Sequence, residues 1–118
     1  MQKISSLVRV DGSTWDNKYL EFDTNSSCID IVDSVTFYRD YRIEKSSCLG
    51  VKCIPNQKSL HLSTCLLQDS GKRKLFFFEF EFQDPKEQDK FSEYLKEKEF
   101  FLSGKRAAST ENKTLSFL

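Results

Sequence analysis

The sequence is short of the residues on which most chemistry depends. It holds one histidine, one tryptophan, one methionine, two prolines and four glycines in 118 residues. General acid–base work most often uses histidine, and His61 has no second histidine to act with. No G-x-S-x-G, C-x-x-C or glycine-rich phosphate loop appears. The carboxylates alternate with bases in surface patterns rather than standing in apolar settings. These absences point away from an enzyme and toward a chain that needs no cofactor. Neither sign of charge is in excess: 18 bases face 18 acids, with eight of each in residues 1–58 and ten of each in residues 59–118. A nucleic-acid binder shows a basic face, so that partner class is disfavoured. No apolar run approaches the roughly 20 residues of a membrane-spanning helix, and residues 1–6 lack the apolar core of a signal peptide. The expected setting is therefore intracellular, cytoplasmic or nuclear. There Cys28, Cys48, Cys53 and Cys65 are expected as reduced thiols, and the N-x-S/T matches at Asn25 and Asn112 carry no weight.

What the chain has in surplus is phenylalanine, eleven residues of it. Its length suits one domain. A small core needs bulky side chains, each worth roughly 1.5–3 kcal/mol when buried, to offset about 1–2 kcal/mol of backbone entropy per ordered residue. Alternating polarity predicts strands over residues 4–10, 18–23, 28–32, 35–43, 49–54, 59–67 and 74–83. In the fourth, Val35, Phe37, Arg39 and Tyr41 share one face. In the fifth, Cys53 shares a face with Leu49 and Val51. The seventh is the most regular, with Phe76, Phe78, Phe80 and Phe82 in phase and Glu79 and Glu81 between them.

The period then changes to that of a helix. Asp84 can cap, Pro85 suits the first helical position, and Glu87 stands at capping-box spacing. Phe91, Tyr94, Leu95, Lys98, Phe101 and Leu102 form an apolar stripe, and Gly104 is the expected stop. The domain is therefore read as residues 1–104, with residues 105–118 a flexible polar tail dispensable for folding. In that tail Arg106 stands three residues before Ser109, a spacing basophilic kinases favour, which makes Ser109 a candidate phosphosite.

Seven short strands followed by one terminal helix resemble the pleckstrin-homology-like (PH-like) superfold. The run Trp15-Asp16-Asn17-Lys18-Tyr19-Leu20-Glu21-Phe22 is similar to the start of the second strand in many such domains. The resemblance implies a mainly β (α+β) fold, a seven-stranded antiparallel barrel or sandwich of two sheets capped by one C-terminal α-helix. It also implies a binding module. Two departures bear on the ligand. The helix of typical members carries a core tryptophan, where this chain has Phe91 and Tyr94. Phosphoinositide-binding members carry several bases around the first hairpin loop, where this chain has Asp11 and Asp16 against Lys18, with Arg9 just before. The divergence suits members that bind proteins.

The candidate sites follow from these patterns. Cys48, Cys53, Cys65 and His61 lack the closely spaced ligand pairs of structural zinc, so no metal is expected. Lys72, Arg73 and Lys74 are the candidate contact for an anionic ligand, each base adding about 1 kcal/mol near an anionic leaflet. A solubilising cluster guarding the Phe run reads equally naturally. Leu75 and Phe77 point opposite to the Phe row and need cover from a loop or a partner. With Trp15 and Tyr38 they form the candidate protein interface, since exposed aromatics commonly anchor interfaces. The expected function is a non-catalytic interaction module, a scaffold or adaptor for another protein or peptide in a larger intracellular complex. The alternative is a domain that binds phosphoinositide or an anionic membrane.

Overall fold

The structure is a computed structural model that describes residues 1–53 and 59–100, without the side chain of Cys53. Its elements are β1 (Gln2–Val10), β2 (Asp16–Phe22), β3 (Cys28–Asp33), β4 (Arg39–Glu44), a 3-10 turn (Lys45–Ser47), β5 (Cys48–Cys53), β6 (Ser59–Leu67), β7 (Arg73–Glu81) and α1 (Pro85–Glu97). All neighbouring strands are antiparallel and form one sheet in the order β4-β3-β2-β1-β7-β6-β5. β1 joins its halves. Its residues 2–8 pair with β2, and Leu7 to Val10 pair with Glu81 to Phe78 of β7.

The sheet is strongly curled. β4 and β7 are four ladder steps apart, about 19 Å across a flat sheet. Yet the Tyr41 ring of β4 lies 5.1 Å from Phe78 and 5.6 Å from Phe76. Only a sheet bent over its own inner face brings those rings together. The curl stops short of closure, since β4 and β5 are unpaired edges among the described residues. The expected closed barrel is thus an open, curled sheet.

The inner face holds the core. Phe76, Phe78 and Phe80 stack along β7, with Leu60 and Leu62 opposite on β6 and Leu20, Phe22, Ile29, Ile31 and Ile43 from the other half. α1 plugs this concavity. The Phe91 ring sits 5.5–5.8 Å from Phe22, Phe80 and Phe82. Tyr94 packs 4.6 Å from Phe22, while its hydroxyl donates to a carbonyl of the β2–β3 loop and accepts the Cys28 N–H. Buried polar groups need such partners, and burial raises the Tyr94 pKa above its ordinary value.

Three local expectations are corrected. The fourth strand begins at Arg39 rather than at 35, because the Asp33 carboxylate accepts the N–H groups of Val35 and Thr36 and the Thr36 hydroxyl. Such side-chain bonds compete with a sheet ladder, and Phe37 adopts φ +62° in the resulting turn. In β5 a bulge between Cys48 and Gly50 shifts the phase. Cys48 and Val51 are buried while Leu49 is exposed, because an extra residue on one strand reverses the alternation beyond it. The helix ends at Glu97, where Glu99 takes φ +60° and Phe100 turns back beside Tyr94. Phe100 is buried there, and Phe101, Leu102 and Gly104 lie outside the described residues. The cap works as expected, with Asp84 accepting the Lys86 N–H. Glu87, however, reaches the Ser5 N–H across the interface and does not close a capping box.

Phe80 sits at the junction of row, helix and sheet, fully buried. Phe80→Ala is expected to cost about 3–5 kcal/mol, read as a lower midpoint in chemical denaturation; an unmoved midpoint would mean the faces of β7 are reversed.

Candidate functional site

The same alternation that buries the Phe row turns the odd residues of β7 outward. Phe77 is 52% exposed and Leu75 43%. Register then sets their neighbours: Phe77 lies opposite Ser63, Leu75 opposite Cys65, and Arg73 opposite Leu67 on β6. Leu67 is exposed, Cys65 is half-buried, and the bulge turns Leu49 of β5 outward as well. The result is an apolar patch on the outer face of β5, β6 and β7. Sequence reading found Leu75 and Phe77 in it but missed Leu67, Cys65 and Leu49. The first two were legible from their phase opposite to Leu60 and Leu62. Leu49 was not, because its orientation depends on the bulge.

A charged row bounds the patch. Arg9, Glu79, His61 and Lys52 lie in register across β1, β7, β6 and β5. The Arg9 guanidinium grips Glu79 through two 2.8 Å bonds. That bidentate contact holds the Glu79 carboxyl below its usual range and raises the Arg9 pKa. The His61 ring stands 3.6 Å from Glu79. Trp15 covers Arg9 at 4.6 Å, a cation–π contact. Trp15 is therefore a clamp on the β1 end of the row. On the next register step toward the hairpin tip, Asp11 locks the Phe77 backbone. Its carboxylate accepts the Phe77 N–H, and its own N–H donates to the Phe77 carbonyl, both at 2.8 Å.

The basic trio lies on the β6–β7 hairpin. Arg73 and Lys74 line an open groove of about 1020 Å³ that runs from this hairpin to the β4 edge, with Tyr41 and Phe76 in its lining. Among the described residues Lys72, Arg73 and Lys74 have no carboxylate partner, and Lys74 rests over Phe76. The bases across the groove are less free: Arg42 holds Asp30 through two bonds, and Arg39 lies 4.0 Å from that same carboxylate. A second cleft of about 400 Å³ opens beside the first hairpin, lined by Asp16, Lys18, Asp40 and Tyr41 among others. Lys18 is the base in it, and its ammonium is tied to Asp33 at 2.9 Å and Asp40 at 2.7 Å.

No family model matches the sequence, and no curated protein matches it. A solved structure does: inner membrane complex sub-compartment protein 3 from Toxoplasma gondii, at TM-score 0.55 and 14% identity, over 81% of this chain and 73% of that one. The chain is similar in fold to that PH-like protein. At that identity the likeness concerns architecture alone. The lysine of the first hairpin is neutralised by two carboxylates, Asp33 and Asp40.

The residues once considered for metal are dispersed. Cys48 is buried on the inner face, where desolvation pushes its thiol up to about 12. Cys65 and His61 face outward, and the side chain of Cys53 lies outside the described residues. Among the described residues no cluster of three or more metal-binding side chains forms, and no helix is long and apolar enough to cross a membrane. Ser109 and residues 105–118 also lie outside them.

Tyr38 belongs to the β3–β4 turn, in company with Val35 and Phe37, and all three are exposed. Phe37 stacks on Tyr19 at 6.3 Å. The turn hangs on Asp33, whose carboxyl lies far below its usual range because of the Thr36 N–H and the Lys18 ammonium. A carboxyl pKa lowered on folding adds stability above its unfolded value of about 3.9, and that stability is lost as pH falls toward the folded value. The stability difference between wild type and Asp33→Asn should therefore be constant near neutrality and shrink below about pH 4. Denaturation midpoints across that range measure it, and a difference that grows in acid would contradict the assignment.

Proposed function

We propose that the chain is a non-catalytic protein-interaction module, a scaffold or adaptor, that docks its partner on the outer face of β5, β6 and β7. The observation that carries this reading is the exposed pair Phe77 and Leu75 set among Leu49, Cys65 and Leu67. That patch stands directly behind the buried Phe76, Phe78 and Phe80 of the core. A partner covering it gains the burial of several apolar side chains at little ordering cost, because β7 is already held on both sides. The free edge of β5 beside the patch offers backbone donors and acceptors to an added strand. The charged row from Arg9 to Lys52 would supply the polar rim.

The second reading is an anionic ligand on the β6–β7 hairpin, favoured by Lys72, Arg73 and Lys74, which have no carboxylate partner among the described residues. Against it stands the first hairpin, where Asp16, Asp33 and Asp40 surround the one available base. The two readings separate on charge reversal. Immobilised wild-type chain is used to capture partners from native extract, and each is then tested against two variants. Phe77→Asp should lose the partner, because burying an uncompensated carboxylate costs several kcal/mol against about −8 kcal/mol for a micromolar complex. Reversing Lys72, Arg73 and Lys74 to Glu should leave it bound. Tight, salt-sensitive binding of the wild type to phosphatidylserine vesicles would instead establish the anionic reading.

A further inference from the structure

We propose that the groove between β4 and the β6–β7 hairpin binds an extended acidic segment of a partner protein. The inference rests on the anionic reading of the hairpin given above and supplies it with a ligand class. Phe76 lines the groove, whereas Phe77 points to the opposite side of β7. The acidic segment is therefore a second ligand, separate from the one on the outer face.

The groove opens where the curled sheet fails to close. β5 pairs with β6 only as far as Thr64, so the last residues of β6 have no strand partner on that side among the described residues. β4 bounds the gap with its own unpaired edge. Tyr41, Leu66 and Phe76 supply an apolar lining and pack against the core beneath. The six residues of β4 make the wall about 20 Å long, which suits a short extended segment.

Charge selects the occupant. Arg73 and Lys74 line the hairpin wall without a carboxylate partner among the described residues. On the β4 wall Arg39 lies 4.0 Å from Asp30, a carboxylate that Arg42 already holds at 2.8 Å. Of the acids in the lining, Asp40 is held by Lys18. That leaves Glu44 beside the 3-10 turn and Asp69 in the hairpin turn against Arg39, Arg73, Lys74 and the neighbouring Lys72. Carboxylates of a ligand would find guanidinium and ammonium donors on both walls. A flat anionic bilayer would meet only the hairpin tip, whereas bases along the wall of a groove suit a chain that enters it. Two segments of this protein lie outside the described residues, and neither matches the groove. Residues 54–58 join Cys53 to Ser59, at the end of β6 away from Leu66. Residues 101–118 carry Lys105, Arg106 and Lys113 against Glu111, the wrong sign for a basic wall.

The test titrates the full chain into a fluorescein-labelled decapeptide of alternating Glu and Thr and follows anisotropy. The same peptide with Lys in place of Glu is the control. Wild type should bind the Glu peptide, more weakly as salt rises, and should leave the Lys peptide free. Arg73→Glu combined with Lys74→Glu should weaken binding by roughly tenfold or more, while Phe77→Asp should leave it unchanged. Hydrogen exchange on wild type then locates the peptide without any variant: amides of residues 39–44 should slow when it is added. No binding of the Glu peptide, unaltered exchange in β4, or loss of the peptide with Phe77→Asp overturns the proposal. Phosphatidylserine vesicles should leave the bound peptide in place, and vesicles that displace it would give the groove to a membrane surface instead. A chain that binds such vesicles but no Glu peptide would sink the acidic segment and leave the anionic reading standing.

Discussion

The structure depends on the burial of one row of rings. Phe76, Phe78, Phe80 and Phe82 leave β7 on the same side, and a flat sheet would present them to water. Curling the sheet lets Tyr41 reach them from β4, and docking α1 sets Phe91 between Phe22, Phe80 and Phe82. The Tyr41 and Phe22 contacts span elements distant in the chain, so the rings fix the tertiary arrangement as well as their own strands. β1 makes the curl possible because it changes partners along its length, from β2 to β7. The polar groups drawn into this core are matched locally, as Thr64 is by the Ser47 carbonyl and Tyr94 by the β2–β3 loop.

The outer face follows from the inner one. With Phe76, Phe78 and Phe80 of β7 committed to the core, residues 75, 77 and 79 are free to differ, and they divide into two zones. Glu79 belongs to a cross-strand row with Arg9, His61 and Lys52, which is ordinary solvated surface. Leu75 and Phe77 belong to an apolar zone that helps no core. A strand locked by Phe burial on one side and by Asp11 at its backbone is a rigid platform, which suits recognition because little order is lost on binding. The PH-like likeness supports the architecture, and the reading of the outer face rests on these residues.

Charge placement separates the two ligand classes more sharply than charge number does. The chain has as many bases as acids, and the first hairpin does contain a lysine. Its ammonium is already shared between Asp33 and Asp40, and Asp33 is in turn occupied with capping the β3–β4 turn. A ligand phosphate would have to compete with two carboxylates for that lysine. On the β6–β7 hairpin the bases have no carboxylate partner among the described residues, and they are exposed to solvent.

The sequence by itself determined the element order, the Phe face of β7, the start of α1 at Asp84 and Pro85, and the outward phase of Leu75 and Phe77. Each of these is a periodicity or a cap, set by residues within a few positions of one another. It misplaced the start of β4, since alternation at Val35 and Phe37 was overruled by three hydrogen bonds to Asp33. It could not reveal the bulge in β5, which inverts Leu49 and buries Cys48, because a bulge is a relation between two strands. Nor could it show that Trp15 clamps Arg9, that Glu87 reaches Ser5, or that Phe100 turns back into the core. Those outcomes, and the open sheet where a barrel was expected, were decided by tertiary structure alone, because each depends on the distance between residues that only the folded chain brings together.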